Sequence, residues 1–181
     1  MSAEIHNLHE PVYIGFTPVE YKNYFIGVEK IESILPEIRV LHGEHYGETE
    51  ILYKEREMLV DYERYIALEQ TSQFVLFTAR HTSTGSLIGH LMYFLGPAHH
   101  TKGILLAKED AFFITKAHRG GQLAKMFLKF AEDCLLELGV GQIGMTDKSP
   151  CGGKSLKRLL EPLGYKPVAL QYVKEIGLED K

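Results

Sequence analysis

Residues 111–132 read AFFITKAHRGGQLAKMFLKFAE. A β-prone apolar run meets a glycine pair and then an amphipathic helix pattern, in which Leu123, Phe127, Phe130, Ala131, Cys134, Leu135 and Leu138 recur at steps of three and four. A helix start leaves backbone N–H groups unpaired at the positive end of the dipole, which suits a phosphate. Gly120 and Gly121 let an anion approach the backbone, and Arg119 carries a donor fork matched to phosphate oxygens. The same letters also serve as a plain tight turn between strand and helix, so the flanking segments decide.

Upstream, 104–115 predicts a strand holding Glu109 and Asp110, and FVLFTAR (74–80) with LIGHLMYFL (87–95) predicts a hairpin. Downstream, the helix expected over 117–139 ends at Gly139. Beyond it, 140–145 predicts a short buried strand, 149–153 a loop, 154–160 a short helix stopped near Pro162, and 165–176 a last strand. Toward the N-terminus, PVYIGFTPV (11–19) predicts an opening strand. Residues 21–46 predict one or two helices broken by Pro36 and Gly43, and 58–68 a helix with Leu59, Tyr62, Tyr65 and Ile66 at helical spacing. Strands and helices in this order imply a mixed sheet with helices on both faces, an α/β (α+β mixed) layer fold. No repeat or linker interrupts it, so residues 1–181 read as one domain with its core at about 11–176.

The balance of charges narrows the function classes. A net charge of -4 disfavours a generic nucleic-acid binder. Cys134 and Cys151 are too few for a disulfide framework and fit a reducing, cytoplasmic setting. No run approaches the roughly 18 apolar residues of a membrane helix, and MSAEIHNLHEPV lacks the form of a signal peptide. The charge is segregated: residues 1–70 hold six Lys/Arg against fourteen Asp/Glu, and residues 116–158 hold eight against four. An anionic ligand suits the second segment and a cationic one the first.

On Arg119, Gly120, Gly121 and Ala124, on Leu138-Gly139-Val140 and on the run LLEPLGY at 159–165, residues 73–176 resemble the GNAT family of acyl-CoA-dependent N-acyltransferases. The early run LHGEHYGE is similar to a helix in GNAT-like proteins of tailed bacteriophages. The family resemblance implies a mixed, mostly antiparallel sheet and acetyl-CoA as co-substrate. It places the CoA pyrophosphate on Arg119, Gly120, Gly121, Gln122, Leu123 and Ala124, after Phe113 and Ile114 of the strand. It also implies an acceptor side near His45, Tyr46 and Glu48, a small-molecule or protein amine as acceptor, and pairing into a homodimer. Two positions depart from the pattern: Gln122 stands where the family has its middle glycine, and Leu160 where it often has a tyrosine that protonates the leaving thiolate. They keep open a non-catalytic GNAT-fold binding or structural protein as the alternative.

Acyl transfer to an amine needs a base, since an alkylammonium has a pKa near roughly 10. Glu109 and Asp110 are the candidates; adjacent strand residues face opposite sides, so at most one reaches the cleft directly, and Asp110 is favoured. Tyr165 and Tyr172 are substitutes for the missing tyrosine. Cys151 has no partner base in the sequence. His42 and His45 supply two of the four ligands a structural metal needs, so a polar face near the acceptor cleft is expected and no metal. His99 and His100 read as a solvated loop pair, and Lys154, Lys157 and Arg158 as a solvated helix face.

Overall fold

Alternation along FVLFTARH decides how the layers form: Phe74 and Leu76 pack on one face of the sheet, Val75 and Phe77 on the other. The structure, a computed structural model, describes residues 15–50, 57–149 and 155–169. Its six strands are β1 (Val19–Tyr21), β2 (Tyr24–Val28), β3 (Phe74–His81), β4 (Leu87–Pro97), β5 (Leu105–Ile114) and β6 (Val140–Gly144). They lie in chain order in one sheet, antiparallel throughout except for the parallel β5–β6 pair. The described helices are α1 (Leu35–Thr49), α2 (Tyr62–Gln70), α3 (Leu123–Glu137) and α4 (Lys157–Leu160).

The two faces carry separate cores. Phe127, Leu128, Ala131 and Leu135 of α3 cover Ile26, Val75, Phe77, Leu91 and Tyr93. On the opposite face Ile31, Ile34, Ile38 and Leu41, from a 3-10 turn and α1, cover Phe74, Leu76, Met92 and Phe113. Each fully buried large side chain contributes about 1.5–3 kcal/mol, so this two-sided burial dominates the fold's stability.

Several sequence expectations hold. The 74–95 hairpin, the strand within 104–115 and the short strand after Gly139 are all present, and Gly139, at φ 81, ends α3 in the left-handed conformation that favours glycine.

Others are corrected. Within 21–46 the chain first forms the β1–β2 hairpin, and α1 then runs through Gly43 to Thr49 instead of breaking there, with Pro36 in its first turn where a missing N–H costs nothing. No strand covers 15–18 of the expected opening strand, and its first four residues lie outside the described residues. In the 58–68 segment the helix begins only at Tyr62, where the Asp61 carboxylate caps it by accepting from the Arg64 N–H at 3.0 Å. Leu59 precedes that helix and is 82% exposed. The helix expected over 117–139 starts at Leu123, after a 3-10 turn at Lys116–His118. Strand β6 is an edge strand with Gly141 and Gln142 exposed, not a buried one. Helix α4 occupies only the end of 154–160, and 165–169 is irregular where a strand was expected; 170–176 lies outside the described residues.

Candidate active site

Strand β5 builds the site because it pairs differently along its length. Its first residues pair with β6, the last being Lys108 with Gly144; from Glu109 to Ile114 it pairs with β4 alone. Among the described residues, that stretch leaves one backbone edge of β5 without a strand partner. A bulge falls at the same place: Tyr93 faces Glu109 and Met92 faces Ala111, so Asp110 is the extra residue.

The bulge sorts the two candidate bases. The Asp110 side chain lines a cavity of about 370 Å³ beneath α1 and α2. Glu109 is buried, and its Oε2 accepts from the Thr146 N–H at 3.0 Å just past the end of β6. Burial pushes the Glu109 carboxyl above its ordinary range, an effect that the hydrogen bonds from Thr146 oppose.

His42, His45, Tyr46 and Thr49 of α1 form one wall of the cavity, Met92 and Ala111 its sheet side, and Tyr65 of α2 another wall. Met58, Leu59 and Val60 lie at the remaining side. Its acidic side chains are Asp110, Glu50 and Glu57, against the basic Lys148, which stands 4.0 Å from Glu50. The imidazoles add no positive charge near neutrality, because burial pulls both His42 and His45 down to about 4. Behind them His90 is 0% exposed, 4.8 Å from the His42 ring and 5.4 Å from the His45 ring, with neither ring nitrogen hydrogen-bonded. A cavity with this charge balance attracts cations.

The turn at the end of β5 is open to an anion. Gly120 adopts φ 91, a conformation that favours glycine, and neither Gly120 nor Gly121 has an atom within 4 Å of where a Cβ would stand. No side chain caps α3, and its first helical bond runs from the Met126 N–H to the Gln122 carbonyl. The N–H groups of Leu123, Ala124 and Lys125 therefore precede the helical ladder. Gln122 is exposed and its side chain does not cap the helix, whereas Leu123 is buried beneath the turn.

Arg119 is held differently from the sequence expectation. Its Nε donates to the Ile114 carbonyl at 2.5 Å, both terminal nitrogens donate to the Glu48 carboxylate, and the guanidinium lies over the Phe113 ring. The donor fork is committed to protein, which leaves backbone N–H groups as the anion donors of the turn. Glu48, expected on the acceptor side, is thereby joined to the turn before α3, while His45 and Tyr46, expected with it, line the cavity that Asp110 enters. Phe113 and Ile114 are buried on opposite faces of the sheet and offer the turn mainly backbone.

Tyr165 packs on the α3 side with Leu160, away from the face that carries Asp110. Its hydroxyl is buried beside Glu132 and Tyr93 and is shifted to a weaker acid, first by burial and then by the Glu132 carboxylate. Tyr172 and Cys151 lie outside the described residues. His99, His100, Lys157 and Arg158 are exposed, as expected; Lys154 lies outside the described residues. Among the described residues no three His, Cys, Asp or Glu side chains converge as metal ligands. Both His42 nitrogens lie near other groups, Tyr62 Oη at 3.1 Å and Met92 Sδ at 3.2 Å.

Sequence reasoning missed Tyr65, Met92, Lys148 and His90 as neighbours of the site. Tyr65 was placed on a helix face and given no role. The only available signal was its position one turn after the Asp61 cap.

No family model matches the sequence, and no curated protein matches it. Solved structures do match. A ribosomal-protein-alanine N-acetyltransferase from Brucella melitensis biovar Abortus 2308 superposes with a TM-score of 0.66 at 18% identity, over 85% of this chain and 98% of that one. The glucosamine-6-phosphate N-acetyltransferase of Arabidopsis thaliana gives 0.63 at 14%, over 85% and 99%. The chain has the GNAT fold. An aminoglycoside acetyltransferase from an uncultured soil metagenomic sample shares it, with a TM-score of 0.62 at 16% identity over 85% and 99%. These three neighbours are acetyltransferases named for different acceptors: a ribosomal-protein alanine, glucosamine 6-phosphate and an aminoglycoside. Among the described residues no helix is long and apolar enough to cross a membrane.

Proposed function

We propose that this protein is an acetyl-CoA-dependent N-acetyltransferase acting on a cationic amine. The observation that carries the reading is the position of Asp110. The bulge turns its carboxylate into the acidic cavity under α1 and α2, on the same strand whose free edge leads to the open turn at α3.

The donor's pyrophosphate rests on the N–H groups of Leu123, Ala124 and Lys125, helped by the dipole of α3. Its acyl arm would lie along the edge of β5 that has no strand partner among the described residues, where backbone N–H groups would supply donors for the oxyanion. The amine enters beneath α1 and α2 as an ammonium and gives a proton to Asp110. Its lone pair then attacks the thioester carbon; the N–C bond forms, the tetrahedral intermediate collapses, the C–S bond breaks, and the second proton lost by the nitrogen passes to the departing thiolate through solvent. A free thiol has a pKa near roughly 8.5, so the thiolate leaves without a strong acid, and the buried Tyr165 takes no step.

Gly121 tests the donor side, because it is exposed, carries an ordinary negative φ and has space around it. Gly121→Glu is expected to fold normally and to lose acetyl-CoA binding by at least tenfold in calorimetry, through blocking and repelling the phosphates. If wild type shows no heat with millimolar acetyl-CoA, the reading fails; if Gly121→Glu binds like wild type, the phosphate site lies elsewhere.

A second reading, a GNAT-fold binding module without turnover, is favoured by one observation. The Glu48 carboxylate sits on Arg119 beside the turn that should attract phosphate. Steady thiol release from acetyl-CoA with any one amine eliminates it.

A further inference from the structure

Tyr65 carries a hydroxyl that its packing does not need. The ring sits against Phe74 and Phe94, with centroids 4.9 and 5.7 Å away, a nest that a phenylalanine would fill equally well. The hydroxyl instead leaves that nest at the cavity wall and donates to Asp110 Oδ2 at 2.6 Å. Burial and the Asp110 carboxylate both push the phenol to a weaker acid, so it stays a proton donor in that bond.

Asp110 has a particular need of such a bond. As the extra residue of the bulge it has no cross-strand partner in the β4–β5 register, and its side chain is exposed. A carboxylate in that position turns freely about its χ angles unless another element holds it. Helix α2 does so from a fixed register. Asp61 caps the helix, Tyr62 in its first turn places Oη 3.1 Å from His42 Nδ1, and Tyr65, three residues on, reaches Asp110. The two hydroxyls tie α2 to its neighbours, one to α1 and one to β5.

We propose that Tyr65 is the positioning residue for the proton-accepting carboxylate. By occupying Oδ2 it leaves Oδ1 to accept the proton of the incoming ammonium, and it holds the Asp110 side chain on the cavity side of the bulge. The inference rests on the N-acetyltransferase reading above, but it adds a residue and a division of labour between the two carboxylate oxygens. Its consequence is a selective kinetic defect, because loss of orientation slows the chemical step without touching donor binding.

The test compares wild type, Tyr65→Phe, Asp110→Asn and the double variant. Thiol release from acetyl-CoA is followed with putrescine, glucosamine 6-phosphate, kanamycin and an alanine-terminated peptide. Tyr65→Phe is expected to lose about 10- to 100-fold in kcat, with acetyl-CoA affinity by calorimetry and far-UV circular dichroism unchanged. In the Asp110→Asn background the same substitution is expected to change the residual rate less than twofold, because the carboxylate it orients is gone. Turnover of Tyr65→Phe at the wild-type rate overturns the inference, as does an equal loss in both backgrounds. Wild type that turns over none of the four amines overturns it together with the acetyltransferase reading, whereas an active wild type with an indifferent Tyr65→Phe sinks the inference alone.

Discussion

Arg119 and Glu48 stand 71 residues apart and hold each other by two hydrogen bonds across the space between α1 and the phosphate turn. The sequence gives each a different address, Arg119 with the donor by its donor fork and Glu48 with the acceptor by the family resemblance. Only the fold shows that the last turn of α1 passes the end of β5. A carboxylate there repels an incoming pyrophosphate by about 1 kcal/mol at the separations and dielectric of a protein surface. Glu48→Gln removes the charge and leaves the amide to hydrogen-bond Arg119. It is expected to tighten acetyl-CoA binding about fivefold at low salt, the gain shrinking in 0.5 M salt as screening sets in. Calorimetry at the two ionic strengths checks this. Weaker binding would mean that the pair serves as a brace for the turn and that its rigidity outweighs its charge.

At the scale of elements, patterns that repeat over several turns or alternate over a full strand were readable, and short or interrupted ones were not. The 74–95 hairpin and α3 were legible because each presents a long apolar face. The β1–β2 hairpin was hidden because YFIGV is too short to separate strand from helix, and its two-residue turn uses Lys22 at φ 55 instead of a glycine. The bulge in β5 was hidden for a different reason: it exists only in the register between two strands, which one strand's letters do not carry. Hence the sequence narrowed the base to Glu109 or Asp110 and leaned to the latter, while the face of each came from the pairing. Helix α1 looked broken because Pro36 and Gly43 fall inside it, yet its buried Ile38, Leu41 and His42 outweigh the glycine cost. That cost is recoverable. A Cβ at Gly43 meets nothing within 4 Å, and the residue is exposed. Gly43→Ala is therefore expected to stabilise the protein by about 0.5–1 kcal/mol, read as a higher urea midpoint at unchanged m-value. A lower midpoint would show that α1 needs the glycine's freedom there.

For the molecule as a whole, the buried histidines set how stability responds to acid. Burial pulls His42 and His45 down to about 4 in the fold, against an ordinary value near 6.5, and the sealed His90 is also held well below that value. Between those values the unfolded chain binds protons that the folded one refuses, so stability falls as pH falls, by up to about 1.4 kcal/mol per pH unit for each histidine. Two buried acids act in the opposite sense. Glu69, which accepts from the Ile31 N–H, is pushed up to about 7 by burial, and Glu109 is also raised, so each takes up a proton in the folded state before the unfolded one does. The lowered imidazoles outnumber the raised acids, so the net expectation is a loss of stability as pH falls from roughly 6.5 toward 4.5. These groups contribute no comparable slope above pH 7.5. Urea unfolding at pH 7.5, 6.0 and 5.0 is expected to show that fall, and His90→Leu to flatten it while raising stability at pH 7.5, because an imidazole with neither nitrogen bonded is removed from the core. Glu69→Gln should do the reverse and steepen the acid limb, since the amide keeps an acceptor for Ile31 but no longer takes up a proton. A profile that is flat from 7.5 to 5.0 in all three proteins would show that the imidazoles are solvated, and with them the wall of the acceptor cavity.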